Sequence, residues 1–176
     1  MSRARAIEGY TPRMVRPGTE PIDLESAREL GGRAALAESE AIRLDARLTD
    51  LQRQELAAGP VAESLLACWA KSPSSAIRGL AAHAAKADGF VLDALVRDPD
   101  ELVRVVAASR SKLRPPHVEL LAADPSHRVR AAIAARELTS PELLAKLRKD
   151  SDEDVADAAK ANPSYQPGFF ARLFGG

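Results

Sequence analysis

The stretch DPDELVRVVAA, residues 98–108, decides the fold because its frame returns twice further along the chain. It recurs as DPSHRVRAAIA from residue 124 and as DSDEDVADAAK from residue 150, which is a spacing of 26 residues on both occasions. Ser72-Pro73 stands one period earlier. A fixed period of this length predicts an array of short structural repeats.

The apolar residues of the superimposed repeats predict two helices per unit. Three columns lie at offsets i, i+3 and i+4, which share one face of a helix. They are Ile77, Val103, Val129 and Val155; Leu80, Val106, Ala132 and Ala158; and Ala81, Ala107, Ile133 and Ala159. Two further columns are Leu92, Val118, Leu144 and Phe170, and Trp69, Leu95, Leu121, Leu147 and Leu173. We therefore predict an all-α fold, an α-solenoid of short two-helix repeats over residues 61–176.

Prolines and their preceding residues predict where the helices begin. Proline is tolerated at the first helical position, and an acidic or hydroxyl residue before it can accept bonds from the free amides. Three dipeptides fit this rule, namely Asp98-Pro99, Asp124-Pro125 and Ser140-Pro141. Glu101 and Glu153, each three residues after an aspartate, are predicted to complete capping boxes. The second helix of each unit is marked by the column Gly89, Pro115, Pro141 and Pro167.

An arginine column predicts how successive units are joined. It consists of Arg78, Arg104 and Arg130, and Ala156 replaces the arginine in the last unit. Arg104 lies six positions after Asp98, which is a rotation of about 600° around a helix, so the two side chains are not neighbours on one face. We predict a ladder between units instead, in which each arginine binds the aspartate or free carbonyls of the adjacent repeat. Asp98 and Asp124 are its predicted acceptors.

Residues 22–60 carry a different pattern, which predicts an N-terminal helical cap. In GRAALAESEAIRLDARLTDLQRQELAAG, residues 32–59, the apolar residues follow steps of three and four, as on one face of a single long helix. They are Ala34, Ala37, Ala41, Leu44, Leu48 and Leu51. Such a helix would cover the open end of the array, because terminal repeats are usually atypical. A coiled-coil or docking helix is the alternative.

Residues 1–21 are predicted to form a flexible basic arm, because they lack helical periodicity. Their charged residues are Arg3, Arg5, Arg13 and Arg16 against Glu8 and Glu20. No apolar run suits a secretory signal or approaches the ~18 residues of a membrane span. We predict a cytoplasmic protein that does not interact with membranes.

The composition argues against catalysis and against a bound cofactor. The chain has 25 basic and 25 acidic residues, so no global charge attracts it to nucleic acid. A single cysteine, Cys68, excludes a disulfide framework and a multi-cysteine metal cluster, and its apolar surroundings predict a core position. His83, His117 and His127 occupy different columns without metal-ligand spacing. We predict no enzyme activity, no catalytic residue, no metal and no cofactor.

The stretches DPDELVRVVAAS and DPSHRVRAAIAAR, each followed by a proline-started leucine segment, resemble the leucine-rich repeat variant family. They are also similar to HEAT-like short α-helical repeats. The resemblance covers residues 72–173. It implies a right-handed superhelix in which an α-helix alternates with a 3₁₀-type helix, and a scaffold that binds something. A resemblance at the level of the fold does not identify the ligand.

Local charge suggests a binding surface in the middle of the array. Between Arg97 and Arg136 lie eight basic and five acidic residues. Arg110 and Arg136 share a column at a helix C-terminus, where they would complement the helix dipole. Together with Lys112 and Arg114, they are also predicted to line a groove for an acidic peptide or for phosphates.

The segment YQPGFFARLFGG, residues 165–176, is the aromatic end of the chain. Phe169 and Phe174 either seal the last unit or form a docking patch. We predict a non-enzymatic protein-interaction or scaffold module that binds its partner on the surface of stacked helices. The alternatives are a nucleic-acid-binding solenoid that uses the same basic residues, and a structural subunit that docks through its cap and aromatic tail.

Overall fold

The computed structural model describes residues 20–33, 36–84, 90–110 and 112–165, and within these ranges the regular secondary structure is helical. The all-α prediction is therefore confirmed. The described segments contain eleven α-helices and no strand. The helices are α1 Leu24–Gly31, α2 Glu38–Asp45, α3 Asp50–Ala57, α4 Glu63–Ala70, α5 Ser75–His83, α6 Phe90–Leu95, α7 Glu101–Ala108, α8 Pro115–Ala122, α9 His127–Ala134, α10 Pro141–Leu147 and α11 Glu153–Ala161.

The helices pack as two alternating sets. In the odd-numbered set each helix contacts the next, from α1 through α11. In the even-numbered set α2 packs on α4, α4 on α6, and α8 on α10. The core lies between the sets, where Trp69, Leu95 and Leu121 are completely buried. Val103, Val129 and Val155, from the first column of the sequence, are buried as well, because each lies on the inward face of its helix.

The single long helix predicted within residues 32–59 is wrong, because α2 ends at Asp45 and α3 begins at Asp50. Thr49 caps α3: its Oγ1 accepts a hydrogen bond from the Gln52 amide at 3.3 Å, and Gln52 Oε1 accepts one from the Thr49 amide at 2.9 Å. This reciprocal capping box starts a new helix where the apolar periodicity continues unbroken. As a result Leu51, predicted on the buried stripe, is 65% exposed.

The predicted helix starts at Asp98 and Asp124 are also wrong, by two residues. Asp100 is the N-cap of α7 and Ser126 that of α9, and Asp152 similarly caps α11. Two residues before each N-cap lies an aspartate whose carboxylate accepts a hydrogen bond from the amide of the N-cap residue. For example, Asp98 Oδ1 accepts one from the Asp100 amide at 2.9 Å. Glu101 and Glu153 are therefore first helical residues and form no capping box with the earlier aspartates.

Two other predicted helix starts are confirmed, because Pro115 opens α8 and Pro141 opens α10. Ser140 caps α10 by accepting a bond from the Leu143 amide at 3.3 Å. Cys68, predicted in the core, is only partly buried. None of the helices in the described ranges is long and apolar enough to cross a membrane. The predictions for residues 1–19, Gly89, Pro167, Phe169, Phe170, Leu173 and Phe174 lie outside the described residues.

Candidate interaction surface

Three arginine–aspartate pairs join successive helices of the odd-numbered set. The pairs are Arg78 with Asp98, Arg104 with Asp124, and Arg130 with Asp150. In these pairs Nε donates to Oδ2 at 2.7, 2.8 and 2.8 Å, and Nη2 donates to Oδ1 at 2.9, 3.0 and 2.9 Å. Two parallel bonds of this kind fix both the distance and the orientation of the partners.

The remaining nitrogen of each guanidinium binds the turn before its own helix. Arg104 Nη1 donates to the carbonyls of Asp98 at 2.7 Å and Pro99 at 3.2 Å. The hydrogen bond from Asp124 raises the pKa of Arg104 above its ordinary value. Both side chains of this pair are largely buried. The side chains of the arginine column thus form hydrogen bonds that connect neighbouring helices of the odd-numbered set.

Arg114, a predicted partner-binding residue, lies in a cluster between α6 and α8. Its Nη2 donates to the carboxylate of Asp93, and the buried His117 places Nε2 2.6 Å from Asp93 Oδ1. The hydrogen bond from Arg114 holds the pKa of Asp93 below its ordinary range, and the bond from His117 acts in the same direction. Sequence reasoning missed this cluster because Asp93 and His117 are 24 residues apart and belong to different columns.

An open groove of about 780 Å³ lies between α8 and α10. Its apolar lining consists of Leu113, Pro115, Val118, Ala122, Ala123, Leu138, Leu143 and Leu147. A second depression of about 420 Å³ adjoins it beyond the α9–α10 loop, and is lined by Ser109, Ala132, Ala135, Arg136, Glu137 and Leu138. Leu138 stands between the two and is 71% exposed. We call the groove and the adjoining depression together the Leu138 surface.

The rim of the Leu138 surface is mainly acidic. Glu119 and Glu142 border the groove, Glu137 borders the second depression, and all three are exposed. Among the residues that line the groove, Lys146 is the exposed cation. Arg136 lines both depressions but is partly buried, and this burial lowers its pKa. Of the four predicted partner-binding cations, only Arg136 belongs to this lining; the others are Arg110, Lys112 and Arg114.

A separate depression of about 560 Å³ lies between α2 and α4. Ile42, Cys68, Lys71 and Pro73 are among its lining residues. Burial raises the pKa of the Cys68 thiol, and the nearby charge of Asp45 adds to this. The neutral thiol therefore prevails at neutral pH, and it is a weaker nucleophile than the thiolate. In the described part of the chain, no group of three or more potential ligands is placed to hold a metal ion.

Comparison with protein-family models, with curated proteins and with solved structures finds no match to this chain. The resemblance to the leucine-rich repeat variant family and to HEAT-like repeats stays a prediction, supported by the motif at residues 98–108 and its recurrences.

Proposed function

We propose that the protein is a non-enzymatic interaction module, an α-solenoid with a 26-residue repeat that binds a protein partner on its Leu138 surface. Support for the solenoid comes from the ordered contacts of the odd-numbered helices and from arginine–aspartate pairs at equal intervals. Stacked repeats of this kind present extended surfaces that suit protein recognition.

The exposure of Leu138 beside an apolar groove carries the proposal. A single exposed leucine is ordinary on a protein surface, but one that continues an apolar groove suits an interface. Here the leucine joins the groove to the second depression, so a bound segment would cover all three features together. The partly buried Arg136 in the same lining adds a residue type that is enriched at interaction hot spots.

The test compares two exposed leucines. Leu138→Asp places a charge in the Leu138 surface, whereas Leu102→Asp places one on α7, where Leu102 is 59% exposed. The tagged full chain and both variants are used to capture proteins from host extract with and without nuclease. We expect partners that survive nuclease, are retained by Leu102→Asp and are lost from Leu138→Asp. Equal loss from both variants would contradict the assignment of this surface.

The same experiment addresses the two other functions considered from the sequence. Recovery of nucleic acid, with an affinity that falls steeply as salt is raised, would favour binding through the basic residues. Capture that survives in both leucine variants, and a mass in solution that rises with concentration, would favour a structural subunit.

A further inference from the structure

The charges around the Leu138 surface define the chemistry of what would bind there. Three exposed carboxylates, on Glu119, Glu137 and Glu142, surround an apolar floor. All three carboxylates are exposed, so their charge faces solvent. A segment that combines apolar side chains with several cations would complement this surface.

Such a segment is present in the chain itself. Residues 1–19, MSRARAIEGYTPRMVRPGT, contain four arginines and one acidic residue, Glu8. Ile7, Tyr10, Met14 and Val15 supply apolar side chains between the arginines. Residues 166–176 are also apolar but carry a single arginine and no other charged residue, so they match the acidic rim less well.

The segment is long enough to reach the groove. The described chain starts at Glu20, whose carbonyl accepts a hydrogen bond from Arg47 Nε at 2.7 Å, beside the turn between α2 and α3. In the proposed solenoid the groove is three to four helix positions from α2, or about 35 Å at the usual spacing of packed helices. A chain of 19 residues can span up to ~60 Å when extended.

We propose that residues 1–19 bind the Leu138 surface of the same chain, with arginines against the carboxylates of the rim and apolar side chains in the groove. This inference rests on the proposed function, because it uses the same surface and makes the segment a competitor of the partner. Release of the segment would then precede binding, and affinity for the partner would be lower in the complete chain than in one whose segment cannot bind.

Site-specific photocrosslinking in the full chain tests the contact directly. p-Benzoylphenylalanine is introduced in place of Tyr10, and crosslinked peptides are identified by mass spectrometry. We expect crosslinks to residues that line the Leu138 surface and a product that migrates as a monomer. Glu119→Lys/Glu142→Lys should reduce the crosslink at least fivefold. The matched control is Glu63→Lys/Glu153→Lys, which reverses two exposed glutamates outside the Leu138 surface and should leave the yield unchanged.

Three results would overturn the proposal: crosslinks outside the lining of the Leu138 surface, a product of dimer size, or a yield that the rim substitutions do not lower. The outcome is separable from that of the proposed function. If crosslinking fails while capture of a partner still depends on Leu138, the result contradicts only the binding of residues 1–19. If the expected crosslinks form and no captured protein depends on Leu138, the result contradicts the proposed function.

Discussion

Arg104 joins two successive turns of the protein through one guanidinium group. Towards the C-terminus it binds Asp124, in the turn between α8 and α9, through two parallel hydrogen bonds of 2.8 and 3.0 Å. Towards the N-terminus it donates to the carbonyl of Asp98, in the turn between α6 and α7, at 2.7 Å. The position of the turn before α9 relative to the turn before α7 is therefore set by a side chain as well as by apolar packing.

Replacing this arginine is expected to destabilise the protein strongly. Arg104→Met leaves the carboxylate of Asp124 buried without its cationic partner, which should lower the free energy of unfolding by about 3 kcal/mol. Urea denaturation followed by tryptophan fluorescence measures the effect, because Trp69 is the single tryptophan and is completely buried.

An exposed pair provides the control for that measurement. Arg128 and Glu101 form an ion pair at 3.4 Å in which both side chains are well exposed, so Arg128→Met should cost less than about 1 kcal/mol. Arg104→Met/Asp124→Leu removes both buried charges and should regain part of the loss. Equal effects of Arg104→Met and Arg128→Met would show that the buried pair has no special role.

The pairing of Arg130 with Asp150 predicts a pH dependence of stability. The hydrogen bond from Arg130 holds the pKa of Asp150 below its ordinary value, which is about 3.9 in an unfolded chain. The stabilisation is therefore present above pH ~4 and is lost as the pH falls through the lower folded pKa. The difference in unfolding free energy between wild type and Asp150→Asn should be largest near neutral pH and shrink below pH ~4. A constant difference from pH 6 to pH 3 would exclude this account.

Asn162 is expected to hold the end of α11 against the end of α9. Its Nδ2 donates to the carbonyls of Ala134 at 2.7 Å and Arg136 at 2.9 Å, and its Oδ1 accepts from the Ser164 amide at 2.8 Å. Asn162→Ala leaves these groups without their partner and should cost about 2 kcal/mol. Hydrogen exchange should accelerate at the Ser164 amide. Unchanged protection of that amide would contradict the assignment.

The break between α2 and α3 is expected to depend on Thr49. Thr49→Ala removes the hydroxyl that caps Gln52 and should lower the free energy of unfolding by about 1 kcal/mol, whereas Thr49→Ser keeps it and should be nearly neutral. Both variants are compared by thermal unfolding. If Thr49→Ala were as stable as wild type, the capping box would not be what starts α3.

The helix starts show how far local sequence rules extend. Ser140-Pro141 obeys the capping rule, while Asp98-Pro99 has the same pattern and begins no helix for two more residues. The difference is tertiary, because the carboxylate of Asp98 accepts hydrogen bonds from Arg78, which lies in α5, and from the Asp100 amide. Capping rules consider only neighbouring residues, so they do not take account of Arg78, which is 20 residues from Asp98 in the sequence.

The sequence by itself determined that the protein is helical and which faces of α7, α9 and α11 are buried, because the period of 3.6 residues is a local property of the chain. It also revealed the arginine and aspartate columns. Only the tertiary structure decided that Arg104 meets Asp124, and that α8 and α10 leave a groove beside Leu138. The shape of such a groove depends on the packing of many side chains from both sets of helices. It therefore cannot be read from any single stretch of sequence.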